Sequence, residues 1–297
     1  MSFHGALIAL YQALGYPKKG GLCFGSTFRW LEADLSGEEE LFHSRIKLIQ
    51  DTTATTEAIS LAKAIKGVGL TDKDNQLLEL LSFFDSLELY HNPSEYSSLL
   101  NAYYSQNDFV AISSFASSDG IMSLGGIKSL YSESVACTEP ELSEYLEHLG
   151  QCIEACYPEK TRIGLLLYGI FHTIAVTFYP YQGWKFMDIN LYPSRFFERK
   201  NTLHLAEEIT KGLKYSQSSA FTLSLVTTGN DPYQAALQKE LGSLKFSPAL
   251  PNESMAGLAY VAARYGHVSV IAELAKHQVN FNTPQHDGAT PVYTSRQ

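Results

Sequence analysis

Three side chains in this 297-residue sequence combine into one chemistry: the thiol of Cys23, the imidazole of His172 and the carboxylate of Asp188. A thiol attacks a carbonyl carbon as its thiolate. It therefore needs a positioned base, and the base needs a third group to fix its tautomer. Cys23 follows Gly20-Gly21-Leu22 and precedes an amphipathic stretch, which predicts a helix N-terminus at the thiol. Unsatisfied N–H groups and the macrodipole favour an anion there. The same N–H groups suit the oxyanion of a tetrahedral intermediate.

His172 opens the apolar run 172–178, and Asp188 lies near the end of the run 184–189. Their numbers are symmetric about Pro180, and Tyr179-Pro180-Tyr181-Gln182-Gly183 reads as a five-residue hairpin loop. Antiparallel pairing in that register sets His172 directly opposite Asp188, with Cβ atoms roughly 4.5–5.5 Å apart on one face. Ile174, Val176, Phe186 and Trp184 share that face and keep water from the pair. A slip of one residue would turn the whole set to the other face. Taken singly, each residue also has a plain structural reading: a small buried thiol, a satisfied strand-edge histidine, and a turn-capping aspartate.

The elements that must position these groups change character along the chain. Residues 6–15 read as a short helix closed by Gly15 and Pro17. After Cys23, Phe24, Phe28, Leu31 and Leu35 mark one buried helix face. Helical patterns continue at 40–50, 56–66, 75–87, 93–105 and 139–155, the one at 93 with Pro at a favoured first-turn position. Strands follow at 162–167, 172–178 and 185–189, then a helix at 203–213 and an alternating strand at 220–227. A helical block followed by a sheet predicts an α+β fold.

Gly21-Leu22-Cys23 before a helix, His172 at a strand start and Asp188 across a hairpin resemble the YopT/AvrPphB class of papain-like effector peptidases. The chain order is that of papain-type enzymes, whose histidine follows the cysteine by about 130–150 residues. The resemblance spans roughly residues 6–230 and is strongest at the three positions. It implies a papain-like domain over 1–230, with Cys23 as nucleophile, His172 as general base and acid, and Asp188 as orienter. It also implies no cofactor, no metal, and delivery from a bacterium into a eukaryotic host cell. One position departs: papain carries an oxyanion-hole glutamine six residues before its cysteine, and Pro17 stands here. Gln12 or a backbone donor would have to substitute.

Residues 231–297 read as a linker and the start of an array. Gly257 to His267, then 270–274, then Asn280-Phe281-Asn282, begin again 33 residues on at Gly288, with Tyr260 and Tyr293 equivalent. An Ala-Ala helix, a Gly-His turn, a second apolar helix and a loop asparagine resemble an ankyrin repeat. Such repeats bury their apolar faces on neighbours, and about three are normally needed. The expectation is therefore a piece of a longer protein. The combination resembles ankyrin effectors of the Legionella type. That implies type IV secretion, a host protein as substrate or partner, and a destination in the host cytosol or nucleus.

The net charge of -9 and pI near 5.5 argue against nucleic-acid or anionic-membrane partners. Four cysteines at irregular spacing fit a reducing compartment better than a disulfide framework. No positively charged start with a long apolar core marks a secretory signal. His148, Cys152 and Cys156 fall on one helix face but lack a fourth ligand for zinc, so they read as a packing face. Lys18-Lys19 read as solvated turn lysines, and Glu38-Glu39-Glu40 as a solvated helix start. Gly20-Gly21 lacks the Gly-Lys-Ser/Thr of a phosphate loop.

Overall fold

The computed structural model describes residues 3–17, 21–49, 52–64, 69–213, 219–229, 232–242, 252–284 and 288–294. They form two compact units: Met1–Ile127 with Asp188–Pro193, and Lys128–Met187 with Ser194–Gln297. The combination of helices and sheet is the α+β class expected from the pattern.

The first unit is helical. Its helices are α1 (Phe3–Ala13), α2 (Cys23–Ser36), α3 (Glu39–Ile49), α4 (Thr52–Ala64), α5 (Asp72–His91), α6 (Ser97–Leu100), α7 (Phe109–Ala116) and α8 (Asp119–Ser123). α2 was expected to bury one face, yet every residue from Phe24 to Leu35 is buried. The reason is its central position, with α3, α5 and α8 packed around it. One buried carboxylate on its other faces, Glu32, finds its partners inside the unit. Glu32 accepts hydrogen bonds from Tyr90 Oη at 2.7 Å, from the Ser117 hydroxyl and from Arg29, which also donates to the Ala116 carbonyl at 3.1 Å. Burial pushes the Glu32 carboxyl above its ordinary range, against the pull of Arg29, Ser117 and Tyr90. α2 stops at Gly37, whose φ of 79° returns its N–H to the last turn.

Elsewhere in this unit α5 begins with a capping box between Thr71 and Asp74. The helix expected over 93–105 is broken. A 3₁₀ turn over Pro93–Tyr96 leads into α6, and Asn101 at φ 51° ends it in the left-handed region.

The second unit is built on a six-stranded sheet. Its strands are β1 (Ile127–Cys137), β2 (Ile163–Tyr168), β3 (Thr173–Tyr179), β4 (Gly183–Met187), β5 (Arg195–Glu198) and β6 (Ser219–Thr228), in the order β1-β6-β2-β3-β4-β5. The ladders β6–β2, β2–β3, β3–β4 and β4–β5 are antiparallel. One face packs on α9 (Glu139–Cys156), α10 (Thr202–Leu213) and α11 (Gln234–Leu241), through alternating residues such as Leu165, Leu167, Val176, Phe178, Leu223 and Leu225. The opposite face carries Ala136 and Ala220 against Leu258, Ala259 and Val261 of α12 (Asn252–Arg264). α12 turns at Gly266, φ 73°, into α13 (Val268–Lys276), and α14 (Pro291–Thr294) also packs on α12.

Two sequence expectations change here. The β3–β4 hairpin pairs Val176 with Phe186 and Phe178 with Trp184, two residues away from the register that sets His172 opposite Asp188. Its last pair is Ala175 with Met187, so neither His172 nor Asp188 belongs to the ladder. The turn decides this. Gln182 N–H donates to the Tyr179 carbonyl at 3.0 Å, with Pro180 second and Tyr181 third at φ 65°, the geometry of a type II turn. A shift of two keeps the face, and Ile174, Val176, Phe178, Trp184 and Phe186 all enter one core. The second change concerns 231–297, read as linker and array start: Leu237 and Leu241 of α11 lie in the sheet's main core.

Candidate functional site

Cys23 is the first residue of α2, and its thiol is half-buried. The residues on either side, Leu22 and Phe24, are 1% exposed, so the chain is anchored on both flanks of the thiol. Leu22 occupies the cap position with φ -133° and ψ 22°, and no side chain caps the helix. Its carbonyl accepts the Ser26 N–H at 3.0 Å. Its own N–H donates to Nε2 of His4, at the start of α1, at 3.3 Å.

Asp188 is 3% exposed and caps the 3₁₀ turn Ile189–Leu191. Its Oδ1 accepts the Asn190 N–H at 2.8 Å, and its carbonyl accepts the Leu191 N–H at 2.9 Å. The capping reading of this carboxylate therefore holds. Asn190 Oδ1 lies 2.7 Å from His4 Nδ1. Because Nε2 accepts from Leu22, the ring proton sits on Nδ1 and is donated to Asn190. A continuous hydrogen-bonded chain thus runs from the cap of the Cys23 helix through His4 and Asn190 to Asp188. Two residues on, Tyr192 Oη is 2.8 Å from His43 Nδ1, and its ring lies tilted against Phe3 at 4.6 Å between centroids.

His172 belongs to the second unit. It sits immediately before β3 instead of opening the strand, and it is half-buried. Its carbonyl accepts the Gly169 N–H at 2.9 Å, which closes the short β2–β3 connection. The structure therefore gathers Cys23 and Asp188 into one unit and carries His172 in the other, on the β2–β3 connection.

Of the remaining candidates, Lys18, Lys19 and Gly20 lie outside the described residues. Pro17 and Gln12 are both exposed. Gln12 lies roughly 12 Å further along α1 than His4, at 1.5 Å per residue, so it does not flank the thiol. On α9, His148 is exposed, while Cys152 and Cys156 pack against the sheet's core. Burial raises both thiols above their ordinary range, with Glu240 acting in the same direction. Among the described residues, no group of three His, Cys, Asp or Glu side chains has metal-binding geometry.

No protein-family model matches this chain, and no curated protein matches it. The crystal structure of the Pseudomonas avirulence protein AvrPphB is similar over 70% of this chain and 92% of its own, at 17% identity and a TM-score of 0.36. Among the described residues no helix is long and apolar enough to cross a membrane.

His4 and Asn190 escape a reading of sequence because 186 positions separate them. Neither stands in a motif. The one local signal is that Asn190 follows Asp188 by two, the spacing at which an aspartate caps a turn.

Proposed function

We propose that this chain is a cysteine hydrolase acting on a host protein after delivery from a bacterium. Cys23 is the nucleophile, His172 the general base and acid, and Asp188 the group that orients the imidazole. One observation carries the reading: a half-buried thiol opens a helix buried from Phe24 to Leu35, and hydrogen bonds tie that helix start to the buried Asp188. The thiolate adds to an amide carbonyl, and His172 gives its proton to the leaving amine. Water, deprotonated by the same imidazole, then hydrolyses the thioester. Amide N–H groups of the first turn of α2 are the natural donors to the oxyanion. Deamidation or acyl transfer uses the same steps with a different amide or acceptor.

We assign substrate recruitment to the tail. α12, the left-handed Gly266, His267, α13 and the turn in which Asn282 N–H donates to Asn280 Oδ1 at 3.0 Å follow the order of an ankyrin repeat. A second reading is a binding protein with a vestigial pocket, and the exposed Pro17 in place of a glutamine favours it. Site-resolved alkylation separates the two. Under the enzyme reading, iodoacetamide at about pH 6 modifies Cys23 about tenfold faster in the wild type than in His172→Ala. Equal rates in the two proteins would exclude the hydrolase. Comparing host lysates treated with wild type and with Cys23→Ala then identifies the reaction, since new N-termini mark proteolysis and Gln→Glu changes mark deamidation.

A further inference from the structure

We infer that His4 is a positioning residue, whose neutral imidazole locks the start of the Cys23 helix to the turn that carries Asp188. The inference rests on the hydrolase reading for its functional meaning. It stands geometrically on three consecutive hydrogen bonds: Leu22 N–H to His4 Nε2 at 3.3 Å, His4 Nδ1–H to Asn190 Oδ1 at 2.7 Å, and Asn190 N–H to Asp188 Oδ1 at 2.8 Å.

Leu22 has no side-chain cap, so the His4 contact holds the residue from which α2 begins. A helix start held in this way presents its first-turn amides and dipole to the thiol in a fixed direction. At the other end, Asn190 is the residue whose N–H Asp188 caps, so fixing the Asn190 side chain fixes the turn and the orientation of the carboxylate. An imidazole joins the two because it presents an acceptor and a donor on opposite edges of a rigid ring. His4 itself is carried on α1, whose Leu7, Leu10 and Tyr11 are buried, so the bridge is anchored to the core of the unit. A Cβ on Gly21 would meet the His4 ring at 3.8 Å, so the imidazole also lies close beside the residue that precedes Leu22.

A glutamine can reproduce both bonds, with its carbonyl accepting from Leu22 and its amide donating to Asn190. That gives the test a conservative rescue. In the full chain, site-resolved iodoacetamide alkylation of Cys23 at about pH 7 should slow by about tenfold in His4→Ala. It should return to within about twofold of wild type in His4→Gln. Asn190→Ala should match His4→Ala, and the double variant should be no slower than either single one, because both break one bridge. Circular dichroism reports whether each protein is folded. An unchanged rate in His4→Ala overturns the inference. A His4→Gln protein as slow as His4→Ala, or unfolded, also overturns it, because the two hydrogen bonds are then not what matters. The hydrolase reading fails by a different signal, an unchanged rate in His172→Ala. Loss of the enzyme and loss of the bridge are therefore told apart in one series.

Discussion

Among single residues, Gly25 sets how closely the thiol-bearing helix can lie on its neighbour. A Cβ there would stand well inside contact distance of the Leu87 carbonyl oxygen on α5. The obstacle is helix backbone, which cannot swing away as a side-chain end can. Gly25→Ala is thus expected to lower stability by about 1–3 kcal/mol despite the better helix propensity of alanine. A urea titration followed by tryptophan fluorescence measures this. An unchanged or higher midpoint would mean that α2 and α5 separate freely. The candidate residues were legible as types, a thiol near a glycine-rich turn with a histidine opening one apolar run and an aspartate near the end of another. Both runs read as strands that include them, and neither residue lies in its strand. Their partners were not legible. Glu32 has Arg29 one helical turn away, but only the fold brings Tyr90 and Ser117 to it.

At the level of elements, hydrophobic patterning located most of what the fold uses, as periodic apolar faces in α9 and α10 and as apolar runs bounded by Gly and Pro in β2, β3 and β4. It missed β1, in which Lys128, Ser129, Ser132 and Glu133 interrupt the apolar alternation. It also misplaced the hairpin register, because Tyr181 takes a left-handed conformation that tyrosine seldom adopts. The polar character of β1 is explained by what covers it. His267, between α12 and α13, lies against the hydroxyls of Ser134 and Ser132, which in turn reach Thr222 and Ser224 on β6 at 2.8 Å each. Burial holds the His267 imidazole below its ordinary pKa. The unfolded segment therefore binds a proton more readily, and stability falls as pH drops from about 6.5 through the lowered folded value. Amide exchange of α12 and α13, corrected for intrinsic rates, should accelerate over that range in the wild type and stay flat in His267→Gln. Equal pH dependence in the two proteins would remove His267 as the titrating group.

Across the whole molecule, the chain divides differently from its sequence. Asp188–Pro193 belongs to the helical unit although the residues on both sides belong to the sheet unit, and no local pattern announces that excursion. The bonds holding it, from His4 to Asn190 and from His43 to Tyr192, span 186 and 149 positions. The C-terminal segment shows the same kind of divergence. Composition marks 231 onward as a linker leading to repeats, but Leu237 and Leu241 are 0% and 1% exposed in the core beneath the sheet. Burying two leucines contributes on the order of 3–6 kcal/mol, a large fraction of the roughly 5–15 kcal/mol by which a domain is stable. A chain ending at residue 229 should therefore lose cooperative unfolding and bind a hydrophobic dye. A chain ending at 242 keeps α11 and uncovers only the Ala136 and Ala220 face of the sheet. It should unfold cooperatively with a lower midpoint than the full chain. If the 229 protein instead matched the full chain in urea, α11 would contribute nothing to the sheet unit, and the tail from residue 231 would be a separable module.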